Sequence, residues 1–233
     1  MREIVLDTET TGLDANATDR VVEIGCVELI NHIPSGQTYH VYINPERSMP
    51  RAAFDVHGLS DEFLKDKPKF REIGQEFARF IDGGRLVIHN AAFDVGFLNA
   101  EFARLGIPAI ASDMVVDTLQ LARRRHPAGP NSLDALCARY GINNSRRTRH
   151  GALLDAELLA EVYIELIGGK QAALFANDGN SGQSARGLGV SGRAPTRQRP
   201  TPLAERLTEA ERETHSAFIG KMGDAAIWKL YEN

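Results

Sequence analysis

An apolar run, Ile4-Val5-Leu6, ends abruptly in Asp7-Thr8-Glu9-Thr10-Thr11-Gly12, and no other segment constrains the chain as strongly. On a strand, residues two apart share a face, so Asp7 and Glu9 aim both carboxylates at one spot. Their repulsion is costly unless a cation sits between them. Hard divalent ions such as Mg²⁺ or Mn²⁺ take oxygen ligands of this kind. Taken alone, Asp-x-Glu reads equally as an acidic strand end facing solvent, and the rest of the chain has to decide.

Two later segments supply what a metal site still lacks. Leu86-Val87-Ile88-His89-Asn90-Ala91-Ala92-Phe93-Asp94 reads as a second buried strand running into a helix with Asp94 in its first turn. His150-Gly151-Ala152-Leu153-Leu154-Asp155 opens a third helix, with a histidine at its entry and an aspartate about a turn and a half on. The segments DTETTG, HNAAFD and HGALLD resemble the three motifs of the DEDDh 3′→5′ exonuclease superfamily. The family set is Asp and Glu, then Asp, then His and Asp five apart, and it is present as Asp7, Glu9, Asp94, His150 and Asp155. Each motif is weak alone, but three in order form a specific signal.

Phosphodiester hydrolysis places negative charge on the attacking and leaving oxygens, and two metal ions about 3.5–4 Å apart stabilise both. The resemblance implies that Asp7 bridges two Mg²⁺ or Mn²⁺ ions. Glu9 and Asp155 would complete the nucleophile-side site, and Asp94 would serve the second ion. It assigns His150 as the general base and not as a ligand, since an imidazole can take the proton of the attacking water near pH 7. Without the spacing to Asp155, His150 would read as a surface histidine at a helix entry.

A chain of 233 residues, 42% of them hydrophobic, can bury a substantial core and still leave sequence over. Cys26 and Cys137 lie within apolar strand and helix patterns and read as small core residues. No apolar run approaches 18 residues, and Met1-Arg2-Glu3 leads straight into a strand, so a soluble, reducing, cytoplasmic setting is expected. The net charge is −4, from 31 acidic and 27 basic residues. Affinity for a polyanion comes mainly from Lys and Arg, so binding to DNA should be weak and local. The basic runs Arg123-Arg124-Arg125-His126 and Arg146-Arg147-Thr148-Arg149 read either as solvated loops or as phosphate contacts beside the cleft.

Strands are expected near residues 2–9, 20–30 and 36–43 as an antiparallel meander. Phe70, Ile73, Phe77 and Phe80 then recur at helical spacing. A strand at 85–89, a helix near 93–105, a strand near 113–117 and helices near 118–125, 132–140 and 151–167 follow. A meander followed by strand–helix alternation resembles the ribonuclease H-like α/β fold, a mixed sheet flanked by helices with the catalytic carboxylates at the central strand ends. His57-Gly58-Leu59-Ser60, after Phe54-Asp55-Val56, is expected in a loop. By resemblance it lines the pocket for the 3′-terminal nucleotide, and Ser60 also suits a helix N-cap before Asp61-Glu62-Phe63. Asn90 and Phe93 are further substrate contacts by the same resemblance, together with Asp7, Glu9 and Asp155, although Phe93 also suits the core.

Past about residue 169 the composition changes. Gln171-Ala172-Ala173-Leu174-Phe175 resembles the QxxLF-type peptide with which bacterial replication proteins bind the sliding clamp: Gln171 is the polar head, Leu174 and Phe175 the apolar anchors. Its bland reading is an incidental helix-end sequence. Residues 178–202 are rich in Gly, Pro, Ser and Arg. As a flexible linker of about 25 residues they would span roughly 25–30 Å root-mean-square. Thr208-Glu209-Ala210-Glu211 is a capping box starting a short helix through Phe218. Leu203, Leu207, Ile219, Ile227, Trp228, Leu230 and Tyr231 have no domain of their own to fill, which points to a partner surface or to packing back on the nuclease domain.

The expected organisation is therefore a nuclease domain over 1–177 with the clamp-type peptide at 171–175, a linker over 178–202, and a binding segment over 203–233. This arrangement resembles the epsilon proofreading subunits of bacterial DNA polymerase III. That family implies the polymerase alpha subunit as partner through Phe218 and Trp228, the sliding clamp (beta subunit), frayed DNA 3′ ends, and a small theta-like accessory subunit. The alternatives are a stand-alone DNA or RNA exonuclease with the same active site, or a bridge between clamp and polymerase. The first has no use for a long linker and anchor, and the intact five-residue set argues against the second as a sole role.

Overall fold

The computed structural model describes residues 1–15, 17–147, 149–168 and 208–222. The chain divides into two compact units, Met1–Asn180 and Ser181–Asn233. In the first, β1 (Arg2–Thr10), β2 (Val21–Ile30) and β3 (Ile33–Tyr42) form an antiparallel meander, and β4 (Arg85–Ile88) and β5 (Val115–Asp117) add in parallel, giving the order β3-β2-β1-β4-β5. The expected mixed sheet is present, with β1 at its centre.

Strand parity separates the two faces of this sheet. Ile4, Leu6, Ile24, Cys26, Leu86 and Ile88 point to one side, where they pack with Phe70 and Phe77 of α3 (Phe70–Ile81) and Phe97 and Phe102 of α4 (Ala91–Leu105). Val5, Val27, Leu29 and Val87 point to the other side, against Ala156, Leu159, Ala160 and Tyr163 of α7 (Ala152–Leu166). Both faces are covered, and the stretches Ile4-Val5-Leu6 of β1 and Leu86-Val87-Ile88 of β4 are apolar without interruption, as strand segments buried on both sides are. A third cluster joins α5 (Thr118–Arg125), α6 (Leu133–Tyr140) and α7 through Ala122, Leu136, Leu158 and Val162. Cys26 and Cys137 are free and buried in these clusters, as expected.

One expectation is corrected. Of the segment read as a loop, Gly58, Leu59 and Ser60 lie in one, but Phe54, Asp55, Val56 and His57 belong to a helix, α1 (Arg51–His57), entered from Pro50 and closed by Gly58 at φ 76°. Its signals were Pro50 at the N-cap and an Arg51–Asp55 ion pair one turn apart, with no apolar periodicity to report it. The Ser60 cap is present: its hydroxyl accepts from the Phe63 N–H at 3.2 Å and starts α2 (Asp61–Leu64).

Within the second unit, α8 (Glu209–Lys221) carries the capping box of Thr208 and Glu211 and runs slightly past Phe218. Phe218 is 59% exposed and Ile219 is buried. The expected clamp peptide (Gln171, Leu174, Phe175), the linker and Trp228 lie outside the described residues. No helix among the described residues is long and apolar enough to cross a membrane.

Candidate active site

Parity continues past the apolar run of β1 and decides where each polar side chain goes. Asp7 and Glu9 follow Val5 onto the α7 face, and Thr8 follows Leu6 onto the α4 face. Thr8 therefore meets Asp94. Its backbone N–H and its hydroxyl both donate to Asp94 Oδ1, at 3.0 and 2.7 Å, which leaves the other carboxylate oxygen to the site. Asp94 and Asp155 sit in the first turns of α4 and α7, where the helix dipole favours negative charge. Asn90 enters α4 in the left-handed conformation at φ 63°, a strain that Asn tolerates better than most residues.

The four carboxylates are crowded. Asp94 is 4% exposed, Asp155 2% and Glu9 8%. Burial, then the charges of Asp94, Glu9 and Asp155, raises the Asp7 carboxyl well above its ordinary range. Burial, then Glu23 across the ladder, pushes Glu9 up to about 8. Burial likewise pushes Asp94 up to about 7, against the bonds from Thr8. Ligand atoms of Glu9, His150 and Asp155 lie within 4.8 Å of one another, the one such group found among the described residues. The four carboxylates, with this excess of negative charge, fit hard divalent cations, with His150 beside them.

His150 lies just before α7, half exposed, with its backbone N–H directed at the Val56 carbonyl of α1 at 3.4 Å. His57 is buried on the same helix and accepts from the Leu59 N–H at 3.0 Å. Burial lowers its pKa, against the effect of the Thr10 backbone, and the charge of His150 lowers it further. Two cavities flank the carboxylates. One of about 530 Å³ is lined by Glu9, Thr11, Leu13, Val56, His57 and Phe93, whose ring also packs on Phe97 at 5.0 Å. The other, about 210 Å³, is lined by Asp7, His89, Asp134, Arg147, His150 and Asp155. Asn90 is exposed and lines neither.

The basic runs are not simply solvated. Arg125 donates to the carbonyls of Glu165 and Leu166 at 3.0 and 2.6 Å and so caps the C-terminus of α7. Arg147 points into the carboxylate cluster, and Arg149 lies over the Phe54 ring at 5.8 Å. Sequence reasoning placed Arg147 beside the cleft but missed its carboxylate partner, and it missed the roles of Thr8 and Glu23. For Thr8 the signal was available, since alternation puts it opposite in facing to Asp7 and Glu9.

Comparison with known proteins adds a consistent picture. Residues 4–163 match an exonuclease family. The chain is 45% identical over 243 residues to the DNA polymerase III subunit epsilon of Escherichia coli K12, covering 98% of this chain and 97% of that one. It is 52% identical over 176 residues to the subunit of the same name from Rickettsia felis, covering 74% and 77%. Among solved structures, the nuclease domain of 3′hExo, a DEDDh family member bound to rAMP, superposes with a TM-score of 0.61 at 14% identity over 72% of this chain and 92% of that one. E. coli exonuclease I with a dT13 oligonucleotide gives 0.62 at 17% identity, covering 75% of this chain and 42% of the longer enzyme. These distant likenesses speak to the fold.

Proposed function

The chain belongs to the exonuclease family, within its DNA polymerase III epsilon branch, and we propose that Asp7, Glu9, Asp94, His150 and Asp155 carry its proofreading reaction at the ends of β1, α4 and α7. The activity is 3′→5′ exonucleolytic. The observation that supports the site is the convergence of four carboxylates, from three distant segments, with a half-exposed imidazole beside them.

Asp7, Glu9, Asp94 and Asp155 would hold two divalent cations, Mg²⁺ or Mn²⁺. When bound, these supply the charge that stabilises the attacking and leaving oxygens. His150 takes the proton of the attacking water, its exposure allowing the proton to pass on to solvent. The larger cavity, floored by Glu9 and walled by His57 and Phe93, takes the 3′-terminal nucleotide, with the aromatic ring as a sequence-tolerant contact. Thr8 holds Asp94 in place.

The remaining readings concern delivery. The nuclease domain spans 1–177, Gln171, Leu174 and Phe175 bind the sliding clamp, and 178–202 is the linker. The segment 203–233, with Phe218 and Trp228, binds the polymerase alpha subunit in the cytoplasm, and a theta-like subunit is a further partner. The exposed Phe218 ring on α8 supports an outward-facing contact. A net charge of −4 suits an enzyme whose DNA is delivered by a partner.

The test is release of mononucleotides from paired and mispaired 3′ ends without polymerase. A paired end must first unstack, costing a few kcal/mol, so mispaired and single-stranded ends should be cut faster. Equal rates would count against proofreading.

A further inference from the structure

Arg147 is the cation that meets the carboxylate cluster, and its contacts are more specific than charge neutralisation requires. Its side chain is only 8% exposed. Nε and Nη2 donate to the two oxygens of Asp155 at 2.5 and 2.8 Å, a two-point grip. Nη2 also lies 2.9 Å from His150 Nδ1. The same Nη2 is 3.4 Å from Nε2, so it sits against the imidazole ring and not along the lone pair of either nitrogen. One side chain thus contacts both a carboxylate and the imidazole beside it.

A fourth contact reaches outside the cluster. Nη1 donates to Asp134 Oδ2 at 2.7 Å, and Asp134 is held in turn by Asn144 at its other oxygen. Asp134 lies in the first turn of α6 and is 55% exposed, outside the buried cluster. Arg147 therefore has one partner that a cation would take and one that it would not.

We propose that Arg147 is a built-in stand-in for the nucleophile-side cation, and that cation binding at Asp155 competes with the Arg147 grip on that carboxylate. Asp134 is the anchor that keeps Arg147 at the rim after it yields. The competition is electrostatic: a divalent ion on Asp155 would meet a guanidinium already 2.5 and 2.8 Å from its two oxygens, and two cations on one buried carboxylate repel each other. This rests on the reading of Asp155 as a ligand.

The test measures Mn²⁺ binding to the full chain without DNA, by electron paramagnetic resonance of free Mn²⁺, alongside thermal unfolding in chelator. Arg147→Gln should bind Mn²⁺ about ten- to a hundredfold more tightly, the equivalent of the lost charge-assisted bonds. Its metal-free form should melt at a lower temperature, and Mn²⁺ should restore it. Asp134→Asn, an exposed change that leaves the core untouched, should do the opposite and weaken Mn²⁺ binding, because Arg147 loses the partner it would keep. Unchanged or weaker binding by Arg147→Gln, or tighter binding by Asp134→Asn, would overturn the proposal. Asp155→Asn separates the two readings. If it leaves Mn²⁺ binding intact, Asp155 is not a ligand and both fail; if it abolishes a site that Arg147→Gln does not tighten, only the stand-in role fails.

Discussion

Gly25 stands directly across the β1–β2 ladder from Asp7, and a side chain there would collide with the helix that brings Asp155 to the same spot. A Cβ on Gly25 would lie 2.2 Å from the Ala152 carbonyl carbon and 2.2 Å from the Leu153 nitrogen. Opposed residues of an antiparallel pair share a face, so Gly25 lies beneath the first turn of α7 beside the Asp7 carboxylate. Close backbone approach here is what gathers carboxylates from the two ends of the domain.

Gly25→Ala is expected to push the start of α7 outward. Backbone, not a flexible side chain, is what the new methyl meets, so stability should fall by about 1–3 kcal/mol. A shift of about 1 Å at Asp155 should cost on the order of a hundredfold in turnover. Unfolding midpoints and single-strand hydrolysis rates check both, and an unchanged rate would show that α7 need not sit this close.

Asp7→Ala should slow turnover about a thousandfold, equivalent to roughly 4 kcal/mol of transition-state stabilisation. The chain should still fold, because the change relieves repulsion among buried carboxylates. His150→Ala should impair turnover at neutral pH while leaving Mn²⁺ binding largely intact. A full rate in His150→Ala at pH 7 would remove it as general base.

The raised carboxyl groups predict how pH acts on the metal-free protein. Glu9 is pushed up to about 8 and Asp94 up to about 7, so the folded chain keeps protons that the unfolded chain releases nearer pH 4. For an acid whose folded pKa is raised, stability falls as pH rises above the unfolded value, and the fall ends once the folded value is passed. In chelator, the melting temperature should therefore drop between about pH 5 and pH 8. Mg²⁺ or Mn²⁺ should stabilise more at the upper end of that range, where fewer protons compete for the carboxylates. A melting temperature in chelator that rises over this window would contradict the burial of these groups as charged neighbours.

Cutting the chain after residue 177 leaves Asp7, Glu9, Asp94, His150 and Asp155 in place, so hydrolysis of a short single strand should persist. Association with the polymerase should be lost, since a buried aromatic such as Trp228 typically dominates such interfaces. Leu174 and Phe175 changed to Ala should instead weaken the clamp contact alone. Size-exclusion chromatography with each partner distinguishes the two, and co-migration of the shortened chain with the polymerase would remove the tail as the tether.

The sequence by itself determined the elements and the identities of the reactive groups. The apolar run of β1, the helical spacing in α3, the strand-to-helix transition before Asp94 and the helix opening before Asp155 are local patterns, and each produced the element it predicted. The helix α1 escaped because it is short and mostly exposed, so burial left no periodic imprint on it. What only the tertiary structure decided is which groups press on which. Glu23 raising Glu9 depends on strand register, Thr8 fixing Asp94 depends on the docking of α4, and Arg147 gripping Asp155 depends on a loop folding back over α7. Spacing along a chain fixes the direction of a side chain relative to its own strand or helix. The distance between charges on different elements is set by packing, and Coulomb energy depends on that distance.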